Sequence, residues 1–511
     1  MAATLEHQSL GCTVQGVHDQ NTGVVQFRGI PYGNVSRRFG PARPATPSSG
    51  VLDCTEFGPR CPQAHVDVGH LLRIPQHHVL PPEAEDEFAC LNLDVCVSEA
   101  HVSLDRTGRK LPVLIWIHGG SQAMTFGSAA SKLCDMSKIV SDSARLGEPI
   151  ITVAVQYRLN VFAHGDGKGL RNLALLDQAL AIEWVNTHIG GFGGDPENIT
   201  IAGESAGAVY SHAHLVAGAH SGIRQSILMS GSLYLSPPQP RSVITALRQR
   251  VADELGKAGS ELTLESAPAE HVVEALTRAN IPSWFLEEDT TLDGWRDRRL
   301  GQRLLVSDVQ FESVIWRHGM WSASAASIIC AFDLVQPEHH REQLKKLYGI
   351  HPDRPSSCKI GALDFMNDYK FVLPAEILVG RYECAGSTPA LRCLIDEPNP
   401  WQPSHGAHHA VDLLLLFGGL EDVESYAPGA TRAGEKLREH FIRFVNGSDP
   451  WKRGQVAAFG PYGMYQELDG DGEEMHMRRR MRNLDLLREI EAVVLDRVFL
   501  ELARGRISLL N

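Results

Sequence analysis

The chain has 511 residues, a formal net charge of −13 and an isoelectric point near 6.0. This negative charge makes nucleic acids and anionic membrane surfaces unfavourable partners. No apolar run reaches the length of a membrane span. The N-terminal residues have neither the basic start nor the apolar segment of a signal peptide. We therefore expect a cytoplasmic protein whose ten cysteines are free thiols.

Short, uninterrupted apolar runs occur through the first half of the chain, as expected for strands of a parallel sheet that is buried on both faces. The predicted strands cover residues 112–117, 150–155, 199–202 and 226–229. A helix is predicted over residues 172–189, with Asn172 as its N-cap and with Leu173, Leu176, Leu180 and Trp184 on one face. This alternation predicts an α/β fold with a mostly parallel, doubly wound central sheet.

Two stretches, residues 236–300 and 321–400, lack the short apolar runs that predict strands of a parallel sheet. We interpret both as insertions that line a pocket at the carboxyl edge of the sheet, so that residues 1–511 form a single domain. A final helix over residues 484–502 places five apolar residues on one face: Leu487, Ile490, Val494, Val498 and Leu502. We expect this face to pack onto the core, with homodimerisation as the alternative, so the protein is expected to be a monomer or a homodimer.

A G-E-S-A-G turn at residues 203–207 follows the third predicted strand. A G-x-S-x-G sequence between a strand and a helix is typical of the nucleophile elbow of α/β-hydrolases, where a strained turn exposes the serine hydroxyl. Upstream, the first predicted strand runs into an H-G-G loop at residues 118–120, whose amides can face a carbonyl oxygen. These patterns predict Ser205 as the nucleophile and an oxyanion hole formed by the backbone amides of Gly119, Gly120 and Ala206.

A serine nucleophile needs a base and an acid, and in this fold the chain order is serine, acid, histidine. The best late cluster for the base lies at residues 405–412 and contains His405, His408 and His409. A metal site is the rival interpretation of this cluster, but no HExxH-like pattern accompanies it. Two acids precede it at the end of a predicted strand, Asp308 and Glu312. The residues alone do not choose between these two acids.

Six motifs occur in order between residues 27 and 207: FRGIPYG (27–33), FGPRCPQ (57–63), HGGSQAMTFGS (118–128), QYRLNVF (156–162), NLALLDQALAIEWV (172–185) and FGGDPENITIAGESAG (192–207). In this order they resemble the type-B carboxylesterases, which include the cholinesterases, and in particular their fungal members. The resemblance implies the α/β-hydrolase fold and hydrolysis of carboxylic esters by a Ser-Glu-His triad.

The resemblance also implies roles for single residues. The histidine segment of the family, G-x-x-H followed three residues later by an acid, matches residues 406–412 and puts the base at His409 rather than His408. The acid of the family corresponds to Glu312. Because Ser307 and Ser313 replace the usual glycines around it, Asp308 remains the alternative. Ser230 corresponds to a serine that supports the triad, or is a turn residue after a strand.

Three departures from the family pattern concern the pocket and the cysteines. The loop after the HGG continues with Ser121 and Gln122, which we expect to add a polar amide near the acyl pocket. Cys90 lies two positions later than the usual partner of Cys61, so their pairing is left open. The tryptophan that binds choline is missing between these cysteines, which disfavours a cholinesterase.

From these residues we expect a serine carboxylesterase that cleaves a small-molecule ester through an acyl-enzyme, with no metal ion and no organic cofactor. Two alternatives stay open. The first is the same triad used for acyl transfer or cyclisation in secondary metabolism. The second, less favoured, is a non-catalytic binding protein, because some members of the resembled family are adhesion proteins.

Overall fold

The computed structural model describes residues 2–46, 50–102, 109–167, 169–218, 220–257, 261–385, 390–420 and 427–505. Fifteen strands lie in these ranges: β1 (Ala2–His7), β2 (Cys12–Asp19), β3 (Val24–Pro31), β4 (Gly33–Asn34), β5 (Arg43–Pro44), β6 (Gly50–Asp53), β7 (Asn92–Ser98), β8 (Leu111–Ile117), β9 (Ile151–Val155), β10 (Gly194–Glu204), β11 (Ile223–Met229), β12 (Arg303–Val309), β13 (Ala390–Ile395), β14 (Gln455–Phe459) and β15 (Tyr465–Asp469).

Thirteen of these strands form one sheet, in the order β1-β2-β3-β7-β9-β8-β10-β11-β12-β13-β14-β15, with β6 beside β2. The seven strands from β9 to β14 are all parallel to their neighbours. Antiparallel strands flank them at both ends, through β7 on one side and β15 on the other. The four strands predicted from apolar runs all lie in the parallel part, which confirms the prediction of a mostly parallel sheet.

Helices fill the connections between strands: Val68–Leu71, Glu99–Val102, Ser137–Arg145, Leu173–His188, Ala206–Ala217, Arg241–Gly256, Ala269–Ala279, Arg317–Trp321, Ala325–Phe332, Glu338–Leu347, Pro355–Asn367, Leu373–Ala385, Val411–Phe417, Pro428–Val445, Glu473–Arg478, Met481–Glu489 and Ala492–Ala503. A π-helical turn, Asp368–Val372, joins two of them. Among the described residues, no helix combines the length and the apolar character that crossing a membrane requires.

Strand β8 shows how the sheet is covered on both faces. Val113, Ile115 and Ile117 belong to one apolar cluster, whereas Leu114 and Trp116 belong to another. Since successive side chains of a strand point to opposite faces, the two clusters lie on the two sides of the sheet. This explains why the strand reads as a continuous apolar run rather than as an alternating one.

The helix Leu173–His188 differs from its prediction in two respects. Leu176 is 48% exposed, so the predicted apolar face that included it is wrong. Asn172 precedes the helix with a left-handed φ of 51°, and its side chain does not cap it. The amide instead donates to the carbonyl oxygen of Glu287 at 2.9 Å and accepts from the Glu287 N–H at 2.7 Å. Asn172 therefore ties this helix to the segment 236–300 rather than satisfying its first turn.

The predicted insertion over residues 321–400 is wrong at its C-terminal end. Its described part is mostly helical, but β13 lies inside the central sheet between β12 and β14. The strand contains a buried arginine, Arg392, which interrupts the apolar pattern and conceals the strand in the sequence. The arginine is buried because it forms an ion pair with Asp308 at 2.9 Å.

The predicted C-terminal helix is two helices, Met481–Glu489 and Ala492–Ala503, because the backbone of Ile490 is extended with φ −93° and ψ 135°. Leu487, Val498 and Leu502 are buried in an apolar cluster that also contains Trp316. The prediction of one continuous helix is therefore wrong, whereas these apolar residues do pack onto the rest of the molecule as expected.

Candidate active site

Ser205 lies in a sharp turn between β10 and the helix Ala206–Ala217. Its backbone has φ 54° and ψ −119°, a strained combination for a residue with a side chain. The flanking glycines are required by close packing. A Cβ on Gly203 would lie 2.4 Å from the carbonyl carbon of Gly207, and one on Gly207 would lie 2.0 Å from the Ile117 oxygen. The turn therefore has the geometry that the G-x-S-x-G pattern predicts.

The structure brings Ser205, His409 and Glu312 together in one line of contacts. Nε2 of His409 lies 3.0 Å from Oγ of Ser205, and Nδ1 lies 2.5 Å from Oε2 of Glu312. The second carboxylate oxygen of Glu312 accepts a hydrogen bond of 2.8 Å from the backbone N–H of Val309. The carboxylate is fully buried and held at both oxygens, so it can orient the imidazole.

Two loops at the carboxyl ends of the strands position Glu312 and His409 for their contact. Glu312 begins a short 3₁₀ turn, Glu312–Trp316, directly after β12. The N–H of Phe311 donates to the Ala407 oxygen at 2.9 Å, and the N–H of His409 donates back to the Phe311 oxygen at 3.3 Å. These two backbone bonds join the acid loop to the histidine loop, which explains how residues almost a hundred positions apart meet.

Two further carboxyl groups surround His409. Oε1 of Glu204 lies 3.3 Å from its Nε2, and the charge of Asp412 also acts on it. Burial alone lowers the pKa of His409, but Glu204 and Glu312 outweigh this effect and raise the pKa to about 9. Burial raises the pKa of Glu204 well above its ordinary value and that of Asp412 to about 7. Sequence reasoning gave no role to Glu204, although it is part of the elbow motif.

The neighbouring histidines have different surroundings. Nδ1 of His408 lies 2.9 Å from the His409 oxygen, and its Nε2 lies 3.0 Å from the amide nitrogen of Asn399. Burial lowers the pKa of His408 to about 4, so the ring is neutral at pH 7. His405 contacts Arg73. In the described part of the chain, no group of three or more His, Cys, Asp or Glu residues is arranged to hold a metal ion.

Asp308, the alternative triad acid, lies in a buried ion network. Its carboxylate pairs with Arg392 at 2.9 Å and with Arg479 at 3.0 Å. Burial alone raises the pKa of Asp308, but the two guanidinium groups outweigh it and lower the pKa below its ordinary value. Both arginines are also buried, and each has a second carboxylate partner: Arg392 pairs with Glu376 at 3.0 Å and Arg479 with Asp396 at 2.9 Å. The structure therefore brings Glu312 rather than Asp308 to His409.

The H-G-G loop follows β8 and lies against the elbow. A Cβ on Gly119 would lie 2.9 Å from Oε2 of Glu204, so this glycine permits the close approach of the two segments. Gly120 has a φ of 115°, and a Cβ there would lie 2.0 Å from the carbonyl oxygen of Met124. Gly120 and the following Ser121 line the same cavity as Ser205. The predicted oxyanion residues thus lie beside the serine, with the next loop residue, Ser121, as a neighbour.

The expectation that Gln122 adds a polar amide near the acyl pocket is wrong. Gln122 is buried, its Oε1 accepts a 3.2 Å hydrogen bond from the Tyr210 hydroxyl, and its Nε2 contacts Ser236 at 3.4 Å. Two consecutive left-handed residues, Ser121 and Gln122, turn the chain at this point. Of these two residues, Ser121 lines the cavity and Gln122 does not, in the part of the chain that the structure describes.

The cavity above Ser205 holds about 700 Å³ of empty space, its open mouth included. The lining is apolar over most of its extent, through Leu71, Met124, Phe126, Val314, Ile315 and Ala410. The polar side chains of the lining are those of Arg73, Ser121, Glu204, Ser205, His405, His408 and His409. Arg73 is the member of this set that no sequence pattern indicated.

Two other sequence expectations concern residues near the site. Oγ of Ser230 lies 3.5 Å from Oδ2 of Asp412, and its backbone is left-handed with φ 49°. Cys61 and Cys90 are free, buried thiols. A contact with Cys61 and burial together raise the pKa of Cys90 well above its ordinary value, so this thiol is protonated at pH 7.

Comparison with known proteins agrees with this geometry. The model of the carboxylesterase family matches residues 7–291. Lipase 3 of Yarrowia lipolytica (strain CLIB 122 / E 150) is 31% identical over 490 residues, which cover 91% of this chain and 93% of the lipase. The inactive carboxylesterase-like protein VdtD of Byssochlamys spectabilis is 36% identical over 219 residues, which cover 41% of this chain and 35% of VdtD.

A solved structure of a PNB esterase has the same fold. It matches with a TM-score of 0.71 and 22% sequence identity, over 94% of this chain and 99% of the esterase chain. The α/β-hydrolase fold that the motifs predict is thereby confirmed. The chain belongs to the carboxylesterase family of carboxylic ester hydrolases.

Proposed function

We propose that this enzyme hydrolyses carboxylic esters through a Ser205–His409–Glu312 triad and a covalent acyl-enzyme. The observation that carries the proposal is the unbroken line of contacts from Oγ of Ser205 to Nε2 of His409, at 3.0 Å, and from Nδ1 of His409 to Glu312, at 2.5 Å. A serine hydroxyl is a poor nucleophile by itself, and this arrangement supplies the base and the orienting carboxylate that it needs.

The first half of the reaction acylates the serine. Oγ of Ser205 attacks the ester carbonyl carbon while its proton passes to Nε2 of His409. The resulting imidazolium is stabilised by the Glu312 carboxylate. Backbone amides of Gly119, Gly120 and Ala206 are proposed to hold the tetrahedral oxyanion, and Gly120 lines the cavity beside Ser205. His409 then returns the proton to the leaving alkoxide, and the alcohol departs.

The second half releases the acid. His409 takes a proton from water, the hydroxide attacks the acyl carbon, and a second tetrahedral intermediate collapses. The proton on His409 returns to Oγ of Ser205, which restores the free enzyme and frees the carboxylic acid. Each proton step uses Nε2 of His409, so the proposed cycle needs no group beyond the three side chains, the amides and water.

The experiment that tests the proposal is intact-mass measurement after treatment with a fluorophosphonate probe. We expect a single adduct on the wild-type chain and none on Ser205→Ala. Ser221, an exposed serine, provides the matched control, because Ser221→Ala should react like the wild type. The same three proteins are then assayed with a panel of esters, with and without added alcohols, which separates hydrolysis from acyl transfer.

The absence of an adduct on folded wild-type protein would contradict the proposal. In that case Ser205 would not be activated despite its contact with His409. The similarity to VdtD, which carries the name of an inactive protein, would then favour a binding role.

A further inference from the structure

Arg73 lies in the wall of the cavity that contains Ser205 and His409. It follows the short helix Val68–Leu71 and has a left-handed φ of 57°, which is unfavourable for a residue with a side chain. The segment is fixed to the histidine loop, because the Leu72 oxygen accepts a 2.7 Å hydrogen bond from the Asn399 amide. The backbone around Arg73 is therefore held in place beside the reacting groups, in an unusual conformation that calls for a functional reason.

The guanidinium of Arg73 uses three of its five N–H donors within the protein. Nε donates to Nδ1 of His405 at 3.4 Å, and Nη1 contacts both the oxygen and Nε2 of His70, at 3.2 and 3.3 Å. The two donors on Nη2 have no partner among the described residues. Both imidazoles accept from Arg73 in these contacts, so neither supplies a negative charge. Within the same ranges Arg73 forms no ion pair, which leaves a half-buried cation without a counter-ion.

A second guanidinium lies close to the first. Arg317 is exposed, packs over the ring of Trp321 at 5.7 Å and likewise has no ion pair in the described part of the chain. Burial lowers the pKa of Arg73, and the charge of Arg317 lowers it further. The same two arginines add to the effect of burial in lowering the pKa of His405. Two like charges close to each other repel, and an anion bound beside Arg73 relieves the repulsion.

The charges elsewhere in the protein do not favour an anion in general. The formal net charge of −13 repels anionic molecules from the surface as a whole. Glu204 is the carboxyl group that lines the cavity, and it lies 3.3 Å from Nε2 of His409, so its charge acts on the imidazole. Any preference for an anionic substrate must therefore come from Arg73 and Arg317.

We infer that the ester substrate carries an anionic group, such as a carboxylate or a phosphate, which the free Nη2 donors of Arg73 bind and which Arg317 attracts. The inference rests on the proposed esterase function, since it assigns the substrate class of that same site. The apolar lining contacts the carbon skeleton of the substrate, and the guanidinium of Arg73 binds its anionic group by charge-assisted hydrogen bonds. Arg73 thus acts as a specificity-determining residue, whereas Ser205 and His409 carry out the reaction.

The test uses two matched pairs of esters that differ by one charge. In the first pair the acyl chain ends in a carboxylate in mono-4-nitrophenyl adipate and in a methyl group in 4-nitrophenyl hexanoate. 4-Carboxyphenyl acetate and its methyl ester differ by a carboxylate on the alcohol side. For each pair, the ratio of kcat/KM for the charged ester to that for the neutral ester is measured. Comparing this ratio between variants removes differences in intrinsic reactivity and in the amount of folded enzyme.

In at least one pair we expect Arg73→Gln to lower the ratio by about tenfold or more, as for loss of a hydrogen bond to a charged group, mainly through KM. Arg73→Lys should keep part of the preference, and Arg317→Gln should lower it less, because an exposed charge is screened by salt. Arg453 is 67% exposed and pairs with Asp449, so Arg453→Gln serves as the matched control with an unchanged ratio.

Two results would count against the inference, and they are distinguishable. If wild type and Arg73→Gln have equal ratios in both pairs while Ser205 still reacts with a fluorophosphonate, the anionic site is overturned and the esterase function stands. If the wild type cleaves none of the four esters and takes up no fluorophosphonate, the proposed function fails and the inference falls with it.

Discussion

The carboxyl group of Glu204 lies 3.3 Å from Nε2 of His409, on the same ring nitrogen that faces Ser205 at 3.0 Å. Glu204 directly precedes the nucleophile, so the turn that strains Ser205 also places this carboxyl group. The other ring nitrogen faces Glu312. His409 is thus enclosed by buried carboxyl groups, whose charges outweigh burial and raise its pKa to about 9.

The pH dependence of hydrolysis should follow from this contact. A general base acts in its neutral form, so kcat/KM rises as the pH increases toward about 9, where His409 loses its proton. Glu204→Gln removes one of the charges that stabilise the imidazolium and therefore lowers the pKa of His409. We expect the acidic limb of the profile to move to lower pH by about one unit or more.

The measurement is the kcat/KM profile of a neutral ester between pH 5 and about 10, for the wild type and Glu204→Gln. Glu183, an exposed glutamate on the helix Leu173–His188, supplies the control, because Glu183→Gln should leave the profile in place. A profile of Glu204→Gln that coincides with that of the wild type would show that this carboxyl group does not set the pKa of the base.

The two candidate acids should respond differently to the loss of charge. Glu312→Gln keeps a buried side chain of the same size but cannot stabilise the imidazolium, so kcat should fall by about three to four orders of magnitude with little change in folding. Asp308→Asn removes the buried carboxylate that Arg392 and Arg479 share, so each arginine is left with one other carboxylate partner. Breaking a buried ion pair costs about 3–5 kcal/mol of unfolding free energy, whereas kcat per active site should be retained.

Urea unfolding and kcat per fluorophosphonate-titrated site separate the two effects. The assignment of Glu312 would be overturned if Asp308→Asn lowered kcat per site as strongly as Glu312→Gln. The stabilising role of Asp308 also has a pH signature. Because its pKa is lowered in the folded state, its contribution is present above the ordinary aspartate pKa and is lost as the pH falls through the folded value.

The elements that the sequence predicted well are those with a local physical signature. The apolar runs of β8 and β11 indicate buried strands by themselves. The glycines around Ser205 are needed because neighbouring backbone atoms leave no room for a Cβ in the turn. The elbow and the oxyanion loop therefore have patterns that can be found without a structure. Contacts inside one turn or one strand are encoded by neighbouring residues.

The elements that were missed depend on partners far along the chain. β13 escaped detection because Arg392 breaks its apolar pattern, and only the position of Asp308 explains why an arginine is buried there. The residues alone left the choice between Asp308 and Glu312 open for the same reason, since it depends on where two distant arginines lie, and only the family resemblance indicated Glu312. Arg73 reaches the cavity through contacts with His70 and His405, and the second of these is 332 residues away. Nothing in the local sequence reports such contacts.

The contact of Asn172 with the backbone of Glu287 should contribute to the stability of the fold. Its amide pairs with both the N–H and the carbonyl oxygen of Glu287, which is buried. Asn172→Gly accepts the left-handed backbone without strain and leaves these two backbone groups unpaired. We expect the variant to lose about 2–6 kcal/mol of unfolding free energy, at about 1–3 kcal/mol for each of the two buried groups.

Asn186 provides the comparison for this variant, because its amide makes a single 3.2 Å hydrogen bond to Ser221 near the surface. Asn186→Gly should cost about 1 kcal/mol, mostly through the glycine itself within a helix. Urea unfolding of both variants checks the difference. Equal losses for Asn172 and Asn186 would mean that the link to Glu287 contributes nothing beyond an ordinary surface contact.

Gly120 carries the sharpest steric prediction. Its φ of 115° is rarely adopted by residues with a side chain, and a Cβ would lie 2.0 Å from the carbonyl oxygen of Met124. Gly120→Ala must therefore open the turn at Gly120, whose amide is proposed to hold the oxyanion. Since removing one oxyanion donor costs about 100-fold or more in kcat, we expect a loss of at least that size, together with slower fluorophosphonate labelling.

Gly147 provides a control variant, in which a substitution strains the backbone without displacing the loop beside Ser205. It also has a positive φ, 72°, but a Cβ there would meet nothing within 4 Å. Gly147→Ala should therefore cost about 1–2 kcal/mol of unfolding free energy and leave kcat unchanged. Thermal unfolding and kcat per labelled site are measured for both variants. If Gly120→Ala keeps its kcat while folded, the amide of Gly120 does not hold the oxyanion, and the donors must be sought at Ser121 and Ala206.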